Sequence, residues 1–143
     1  MCFSPQNPAE FNNTWCYTNY MVSRIGRTER VFKTAWFSKA ARKAHIVDGE
    51  LSAAIRQVIQ GQADNLGGGV FKKRLGKNQY RSLILAKGGR YWVYAYLFAK
   101  QDRANIDDDE LTAFRALAGL YARKTDTDIA RELQFGELVE IDL

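Results

Sequence analysis

The chain has 143 residues, of which 46% are hydrophobic and 26% are charged, and its formal net charge is +5. A chain of this size forms one ordinary domain and buries a core without disulfides or a metal. Cys2 and Cys16 are its only cysteines, which excludes a disulfide framework and a cysteine zinc site. No apolar run approaches the roughly 20 residues that span a bilayer, and the start lacks a signal-peptide pattern. We therefore expect a cytoplasmic protein with no membrane partner.

Residues 1–20 show no consistent hydrophobic period and contain both prolines of the chain. This pattern predicts a poorly ordered leader. The patterned sequence begins just after Met21, so we interpret Met21 as an alternative start, with a natural N-terminal arm as the other interpretation. We expect residues 21–143 to form a single domain.

A strand and two helices are predicted next. Residues 30–36 alternate in part and are rich in β-branched and aromatic side chains, which is typical of a strand. Helix formers with a basic outer face follow at 38–43. Asp48 is placed to cap a second helix over about 48–62, whose apolar residues recur at helical spacing and are expected to cover one face of a sheet.

The central part of the chain predicts an antiparallel sheet. The three glycines at 67–69 end the helical region, because residues without Cβ neither hold a helix well nor resist a tight reversal. Short connections join the strands that follow, so the pattern indicates a meander. The strands are expected at 70–75, 80–86 and 90–99, and the turns at 76–79 and 87–89.

The C-terminal part predicts two helices and a strand. Asp107–Glu110 is an acidic run that complements the positive end of a helix dipole, and the helix is expected to continue to about Arg123. A shorter helix capped by Thr125 or Asp126 and a terminal edge strand follow, at about 126–134 and 138–141.

Basic residues are concentrated in the sheet segment. Residues 1–103 carry 17 Lys and Arg against 6 Asp and Glu, whereas residues 104–143 carry 4 against 10. This split indicates a surface for a polyanion, with a solvated, salt-bridged surface as the alternative. Between 70 and 103 one acid, Asp102, accompanies nine cations: Lys72, Lys73, Arg74, Lys77, Arg81, Lys87, Arg90, Lys100 and Arg103.

Five of these cations are expected to converge. Lys72 and Arg74 share a strand face because side chains alternate with period two, and a hairpin brings Arg81 beside them. Lys100 and Arg103 leave the end of the fourth strand. A concave surface with these charges would bind a phosphodiester and stabilise the extra charge of its transition state. The alternative is that such side chains serve solubility and protect sheet edges.

The predicted strand 90–99 has an aromatic side, comprising Trp92, Tyr94, Tyr96 and Phe98. Aromatic rings beside cations can stack unpaired RNA bases. A central strand covered by helices on both faces shows the same pattern, and we favour this core interpretation.

No pattern predicts a metal or cofactor site. His45 is the only histidine and has no partner nucleophile nearby in sequence, so we expect a surface or loop residue. The acidic run Asp107–Glu110 is explained more simply by the helix dipole than by Mg²⁺. Gly67–Gly69 precedes a strand and lacks the Lys-Ser/Thr ending of a phosphate-binding P-loop.

Two stretches carry a family resemblance. One is LGGGVFKKRL at 66–75 followed by Arg81, and the other is FAKQDRANI at 98–106 before an acidic helix. From Val31 to Ile141 the chain resembles the RelE/ParE superfamily of type II toxins, and most closely its HigB-like branch. The resemblance implies a small α+β fold with an antiparallel meander, two N-terminal helices packed on it and a C-terminal helix.

The resemblance also implies an activity and partners. Such toxins are metal-independent endoribonucleases, or mRNA interferases, that enter the ribosomal A site and cleave mRNA. A cognate antitoxin, often of helix-turn-helix type, inhibits them. The RNA's own 2′-OH attacks the adjacent phosphate, so no cofactor is implied.

The implied site can be written residue by residue. Arg81, with Lys72 and Arg74, would stabilise the phosphate and the transition state. Lys100 or Arg103 would assist the leaving 5′-oxygen. Further RNA-binding roles are expected for Lys73, Lys77, Lys87 and Arg90.

The chain departs from better-known relatives in two respects. The turn at 76–79 is short, and no tyrosine follows closely after Lys100, so a tyrosine acid or base would come from Tyr80, Tyr94 or Tyr96. Relatives of the ParE kind share the fold and inhibit DNA gyrase without cleaving RNA. A gyrase-inhibiting toxin and a nonenzymatic RNA-binding module therefore remain the alternatives.

Overall fold

The computed structural model describes residues 29–87 and 91–143. The predicted leader over 1–20, the alternative start at Met21 and the candidate Arg90 lie outside these ranges. The elements in chain order are β1 (Arg30–Thr34), α1 (Ala35–Lys43), α2 (Asp48–Ile59), β2 (Asp64–Gly67), β3 (Val70–Leu75), β4 (Tyr80–Lys87), β5 (Tyr91–Ala99), α3 (Asp108–Arg123), α4 (Asp126–Gln134) and β6 (Leu138–Ile141).

The described strands form one six-stranded sheet in the order β2-β3-β4-β5-β1-β6. The strands from β3 to β5 make the antiparallel meander that the sequence predicts, and β2 adds a further antiparallel strand that it does not predict. β1 is parallel to β5, and β6 is antiparallel to β1 at the edge of the sheet. The predicted α+β fold and the predicted terminal edge strand are therefore confirmed.

Helices cover both faces of the sheet, and the sheet separates the hydrophobic core into two halves. We call these faces the α1–α2 face and the α3–α4 face. Phe37 and Ile55 pack against Ile84 and Tyr94 on the first. The second contains Phe32, Val70, Leu83, Val93, Ala118, Tyr121 and Ile129. Burial on both sides explains why residues 83–86 of β4 and the whole of β5 are apolar or aromatic.

The first strand is shorter than predicted, because Thr34 begins a helix. Its hydroxyl accepts a hydrogen bond from the Phe37 backbone N–H at 3.0 Å, which is a standard N-cap. Trp36, predicted at the end of the strand, lies instead in the first turn of α1.

The second helix differs from the prediction at both ends. It ends at Ile59, before the predicted 62, and Val47 is its N-cap residue. Asp48, predicted to cap it, forms an ion pair with Lys33 of β1 at 2.6 Å. Asp48 therefore joins α2 to the sheet and does not cap the helix.

The glycines at 67–69 lie inside a hairpin. A short strand, β2, ends at the first of them, and its sequence DNLG has too little β-propensity to be predicted. All three glycines have positive φ, between 64° and 86°. A Cβ at Gly68 would lie 2.7 Å from Cγ of Arg115 in α3, so the hairpin is also packed tightly against that helix.

A β-bulge interrupts β5. Leu83 of β4 pairs with Tyr96, whereas the next residue, Ile84, pairs with Tyr94. Ala95 is therefore an extra residue in β5 with no partner in β4. An extra residue reverses the direction in which the following side chains point relative to a regular alternation.

The bulge makes the predicted aromatic side of this strand wrong. Trp92 and Tyr94 face α1 and α2, whereas Tyr96 and Phe98 lie on the α3–α4 face, opposite Leu83 and Arg81. The core interpretation is confirmed for Trp92, Tyr94 and Phe98, which are all buried. Tyr96 is only half-buried.

The C-terminal helices begin as predicted. Asp107 accepts a hydrogen bond from the Glu110 N–H, and Glu110 accepts one from the Asp107 N–H, which completes a capping box. Thr125 caps α4 in the same reciprocal way with Asp128. Across residues 29–87 and 91–143, no helix has the length and apolarity needed to cross a membrane.

Candidate functional site

Three of the predicted site residues lie on one face of the β3–β4 hairpin. Arg74 is the direct cross-strand partner of Arg81. Directly opposed residues of an antiparallel pair share a face, and Lys72 shares it because it lies two residues before Arg74. This is the α3–α4 face, at the end where β4 begins and β5 ends. We call Lys72, Arg74 and Arg81 the cation cluster.

Arg81 is held by backbone carbonyls. Its side chain is buried, with 9% of the residue exposed, and its Nη1 donates to the carbonyls of Asn78 at 3.0 Å and Tyr80 at 3.1 Å. The β3–β4 turn has positive φ at Gly76, Lys77 and Asn78. Arg81 thus secures a left-handed turn, and its acceptors are neutral, so its charge is not cancelled.

Lys72 and Arg74 also keep their charge. Lys72 is half-buried, and its Nζ donates to the side-chain oxygen of Asn105 at 3.3 Å. Arg74 is exposed. No carboxylate in the described part of the chain forms an ion pair with any of the three cations. The cluster therefore carries three positive charges without internal compensation.

Arg103 lies beside the cluster but has a carboxylate partner. Its guanidinium forms a two-pronged ion pair with Glu110, and its Nε donates to the carbonyl of Asn105 at 3.0 Å. Its Cζ lies 5.6 Å from the ring centroid of Phe98. The hydrogen bond from Arg103 lowers the pKa of Glu110 to about 2, and the same contact raises the pKa of Arg103. Arg103 and Lys72 thus meet at Asn105, but the Arg103 charge is shared with Glu110.

Lys100 lies next to the turn that Arg81 secures. It is exposed, just beyond the end of β5, and its backbone N–H donates to the carbonyl of Gln79 at 2.9 Å. This contact fixes its backbone beside the start of β4. The site residues expected from the resemblance are therefore at one end of the sheet, with Lys100 on its solvent side.

Of the other predicted RNA-binding residues in the described part of the chain, Lys73 and Lys87 lie away from this surface. Lys73 lies on the opposite face of β3, where its Nζ donates to the carbonyl of Gln62 at 2.9 Å. Lys77 is exposed in the turn. Lys87 lies six residues after Arg81, about 20 Å along the strand, with its Nζ 5.1 Å from the ring centroid of Tyr91.

The structure separates the three tyrosines considered for proton transfer. Tyr94 donates its hydroxyl to the carbonyl of Leu51 at 2.8 Å in the core, where burial raises its pKa. Tyr80 points to the face opposite the cluster. Tyr96 lies on the cluster's face and interacts with Arg103, whose pKa it helps to raise. Tyr96 is therefore the best placed of the three.

The sequence predicted two residues of this site incompletely. It gave Asn105 no role, and it placed Tyr96 on the wrong face of the sheet. Asn105 lies inside the FAKQDRANI stretch that carries the family resemblance, and this position was the one signal that could have indicated its role. Tyr96 was placed on the wrong face by the regular alternation, because nothing in YWVYAYLFA marks Ala95 as a bulge.

His45 is exposed in the loop between α1 and α2, as predicted. The acidic run at 107–110 caps α3, and Glu110 binds Arg103. Among residues 29–87 and 91–143, no three His, Cys, Asp or Glu side chains are grouped to hold a metal ion.

Comparison with known proteins identifies the family. A family model described as the RelE toxin of the RelE / RelB toxin-antitoxin system matches residues 29–141. The chain belongs to the RelE toxin family. No curated protein and no solved structure matches the chain.

RelE family membership fixes the general role of the protein. It is a toxin of a toxin–antitoxin system, in a family that broadly acts by inhibiting translation, and the family implies an antitoxin as partner. The matched range includes every element from β1 to β6. Assignment to the HigB-like branch stays a prediction.

Proposed function

We propose that this toxin is a metal-independent endoribonuclease that cleaves mRNA on the ribosome in the cytoplasm and so inhibits translation. The observation that carries the proposal is the direct pairing of Arg74 with Arg81, beside Lys72, without a carboxylate partner in the described residues. The family membership supports a translation-inhibiting toxin, and the cluster supports RNA cleavage as its means.

Like charges directly opposite each other in a sheet destabilise it. A phosphodiester between Arg74 and Arg81 turns this repulsion into two attractions, because guanidinium groups donate paired hydrogen bonds to phosphate oxygens. Asn105 and the turn carbonyls place Lys72 and Arg81 without neutralising them. Without a bound anion the facing arginines destabilise the sheet, whereas a bound anion makes the same arrangement favourable.

The proposed reaction is an internal transfer. The RNA 2′-oxygen forms a bond to the adjacent phosphorus, and the bond from phosphorus to the 5′-oxygen breaks. The products are a 2′,3′-cyclic phosphate and a 5′-hydroxyl. The 2′-OH loses a proton and the leaving 5′-oxygen gains one, while negative charge grows on the phosphate oxygens. The cluster stabilises that charge, which is the largest contribution such a site can make.

The neighbouring residues supply the remaining roles. In this scheme Lys100, which is exposed beside the cluster, donates to the leaving oxygen through water. Tyr96 is placed to exchange a proton near Arg103. Arg103 is a positioning residue in this scheme, because its pair with Glu110 and its hydrogen bond to Asn105 connect the loop before α3 to Lys72.

The test uses programmed ribosomes and the chemistry of the RNA ends. We expect the wild-type protein to cut bound mRNA into fragments with a 2′,3′-cyclic phosphate and a 5′-hydroxyl. Arg74→Ala should reduce the cleavage rate at least tenfold, because an exposed cation at the site is removed while the fold is kept. Lys73→Ala removes the same kind of charge one residue away on the other face and should leave the rate unchanged.

Two results would contradict the proposal. One is intact mRNA with wild-type protein, together with inhibition of DNA gyrase in a supercoiling assay, which would favour the ParE-like alternative. The other is RNA binding without cleavage or growth arrest, which would favour a nonenzymatic module. A small neighbouring reading frame with a helix-turn-helix pattern is the antitoxin that we expect.

A further inference from the structure

A second surface lies beside the cluster, between α1 and the last part of β5. β1 pairs only with the Tyr91–Tyr94 part of β5, so no described strand covers the same edge of β5 beyond Tyr94. Along that edge runs an open groove of about 580 Å³. We call it the β5-edge groove, and its lining includes Trp36, Lys39, Lys43, Tyr96, Phe98 and Asp102.

Aromatic rings connect the groove to the cation cluster. Trp36 stacks on Tyr96 with ring centroids 5.0 Å apart and an interplanar angle of 24°. Tyr96 lies 6.0 Å from Phe98, which pairs directly with Arg81. The row of rings therefore leads from the cluster, over the β5 edge, to Trp36.

Trp36 is unusual because it is half exposed. It keeps 51% of its surface accessible, although one face of its ring is already stacked on Tyr96. Packing into the core does not explain this position, since Phe37 of the same helix fills the core with no exposure. An exposed indole supported from behind by another ring is a platform for a base.

The groove wall on α1 is basic. Trp36, Lys39 and Lys43 follow each other at helical spacing and share one side of α1, and both lysines are exposed. Neither forms an ion pair with a described residue. α1 contains no acid, and Asp102 is the one acidic residue among those that line the groove.

We propose that the β5-edge groove binds the single-stranded RNA that continues from the cleaved linkage, with a base stacked on Trp36 and the following phosphates on Lys39 and Lys43. This inference rests on the proposed function, because it places more of the same RNA. Charge complementarity and the continuous row of rings favour RNA over a protein segment. The groove then fixes which linkage reaches the cluster.

The experiment measures binding apart from cleavage. The probe is a fluorescent single-stranded RNA of about ten nucleotides with 2′-O-methyl groups, which cannot provide the nucleophile. Trp36→Leu keeps an apolar side chain but removes the stacking surface, and it should weaken binding about tenfold. Trp36→Phe retains a ring and should bind within about threefold of wild type, while the quenching of tryptophan fluorescence by RNA loses the part that Trp36 contributes.

The lysines have a matched control in the same helix. Lys39→Ala with Lys43→Ala should weaken binding, and the slope of log affinity against log salt should become shallower by about 0.7 for each phosphate that the lysines no longer neutralise. Arg42→Ala removes one exposed charge from the part of α1 that lines a different pocket together with His45, and should change binding less than twofold. Measuring Lys39→Ala and Lys43→Ala singly gives a comparison at equal charge.

Several outcomes would overturn this inference. Unchanged RNA binding by Trp36→Leu would show that no base stacks on Trp36. A decrease for Arg42→Ala as large as for Lys39→Ala or Lys43→Ala would show that the lysines act only through general electrostatics. If the groove variants bind RNA normally but no longer copurify with the co-expressed antitoxin, the groove is a protein-docking surface. In each case wild-type cleavage of mRNA would still stand, so the inference fails separately from the proposed function.

Discussion

The two ends of the α3–α4 face hold arginines in opposite ways. At one end, Arg30 of β1 donates two hydrogen bonds to the Glu140 carboxylate, at 2.9 and 2.8 Å. This contact raises the pKa of Arg30 and lowers that of Glu140. At the other end, Arg81 donates to backbone carbonyls and Lys72 to an amide. One end neutralises its cations, and the other positions them.

The difference distinguishes cations that a carboxylate neutralises within the fold from cations whose charge remains available to a ligand. A carboxylate partner fixes a cation and also cancels the field that an incoming phosphate would feel. Neutral acceptors fix the cation and leave that field. Arg103 is intermediate, because Glu110 neutralises it while Asn105 connects it to Lys72. Substitutions that change one end at a time test this distinction.

The largest effect is expected from Arg81→Ala. The cleavage rate on programmed ribosomes should fall about 10²- to 10³-fold, the cost of removing one donor that stabilises transition-state charge. Arg81→Lys keeps the charge but loses the planar fork, and should recover only part of the rate.

The control for Arg81 is stability. Arg81 also secures the left-handed turn at 76–79, so its variants are to be compared by thermal unfolding. Arg81→Lys and Arg81→Ala with equal midpoints but unequal rates would assign the effect to charge. Equal cleavage rates with unequal midpoints would mean that Arg81 only stabilises the turn. The proposed difference between the two ends of the face would then be wrong.

The second prediction converts a neutral acceptor into a charged one. Asn105→Asp places a carboxylate against Lys72 and so imitates the Arg30–Glu140 end. Binding of uncleavable RNA and the cleavage rate should each fall about tenfold, because one effective charge is cancelled, while the free energy of unfolding is kept or increased. Asn105→Ala is the control, because it removes the hydrogen bond to Lys72 without adding charge. A decrease no larger for Asn105→Asp than for Asn105→Ala would contradict the argument.

Most of the fold and part of the site follow from local sequence. The strands β3 to β5 and the helices α3 and α4 are predicted within one or two residues, because glycine turns and acidic helix starts are local signals. The shared face of Lys72, Arg74 and Arg81 follows from strand periodicity and one short turn. The register in the structure confirms it.

The rest depends on tertiary contacts. The bulge at Ala95 leaves no local mark, yet it decides that Tyr96 and Phe98 lie beside Arg81. The sequence places Glu110 in a helix start but does not show that its carboxylate reaches Arg103. β-Propensity assigns Trp36 to the first strand, whereas the N-cap at Thr34 begins a helix before that position. Each case is a long-range or capping contact that overrides a local preference.

The third prediction releases a neutralised cation. Glu110→Gln removes the carboxylate from Arg103 but keeps a side chain that can complete the capping box with Asp107. Binding of uncleavable RNA should become about two- to fivefold tighter, and the dependence on salt should steepen. Glu132→Gln in α4, which removes a carboxylate that pairs with Lys124 away from the cluster, is the control. Equal RNA affinities for the two variants would show that the charge of Arg103 does not contribute to RNA binding.

The smallest effect is expected at the neutralised end. Glu140→Gln should lower the free energy of unfolding at pH 7 by about 0.5 kcal/mol, the size typical of a partly exposed ion pair. Arg30 holds the pKa of Glu140 below its usual 4.5, so the stabilisation is present above about pH 4.5 and is lost as the pH falls through the lowered pKa. The difference between wild type and variant, measured by denaturant unfolding, should therefore shrink towards zero in acid. Because Arg30 pairs with Tyr91, seven residues before Phe98 and about 20 Å from the cluster, the cleavage rate should not change. A slower rate in Glu140→Gln would mean that this end also serves catalysis.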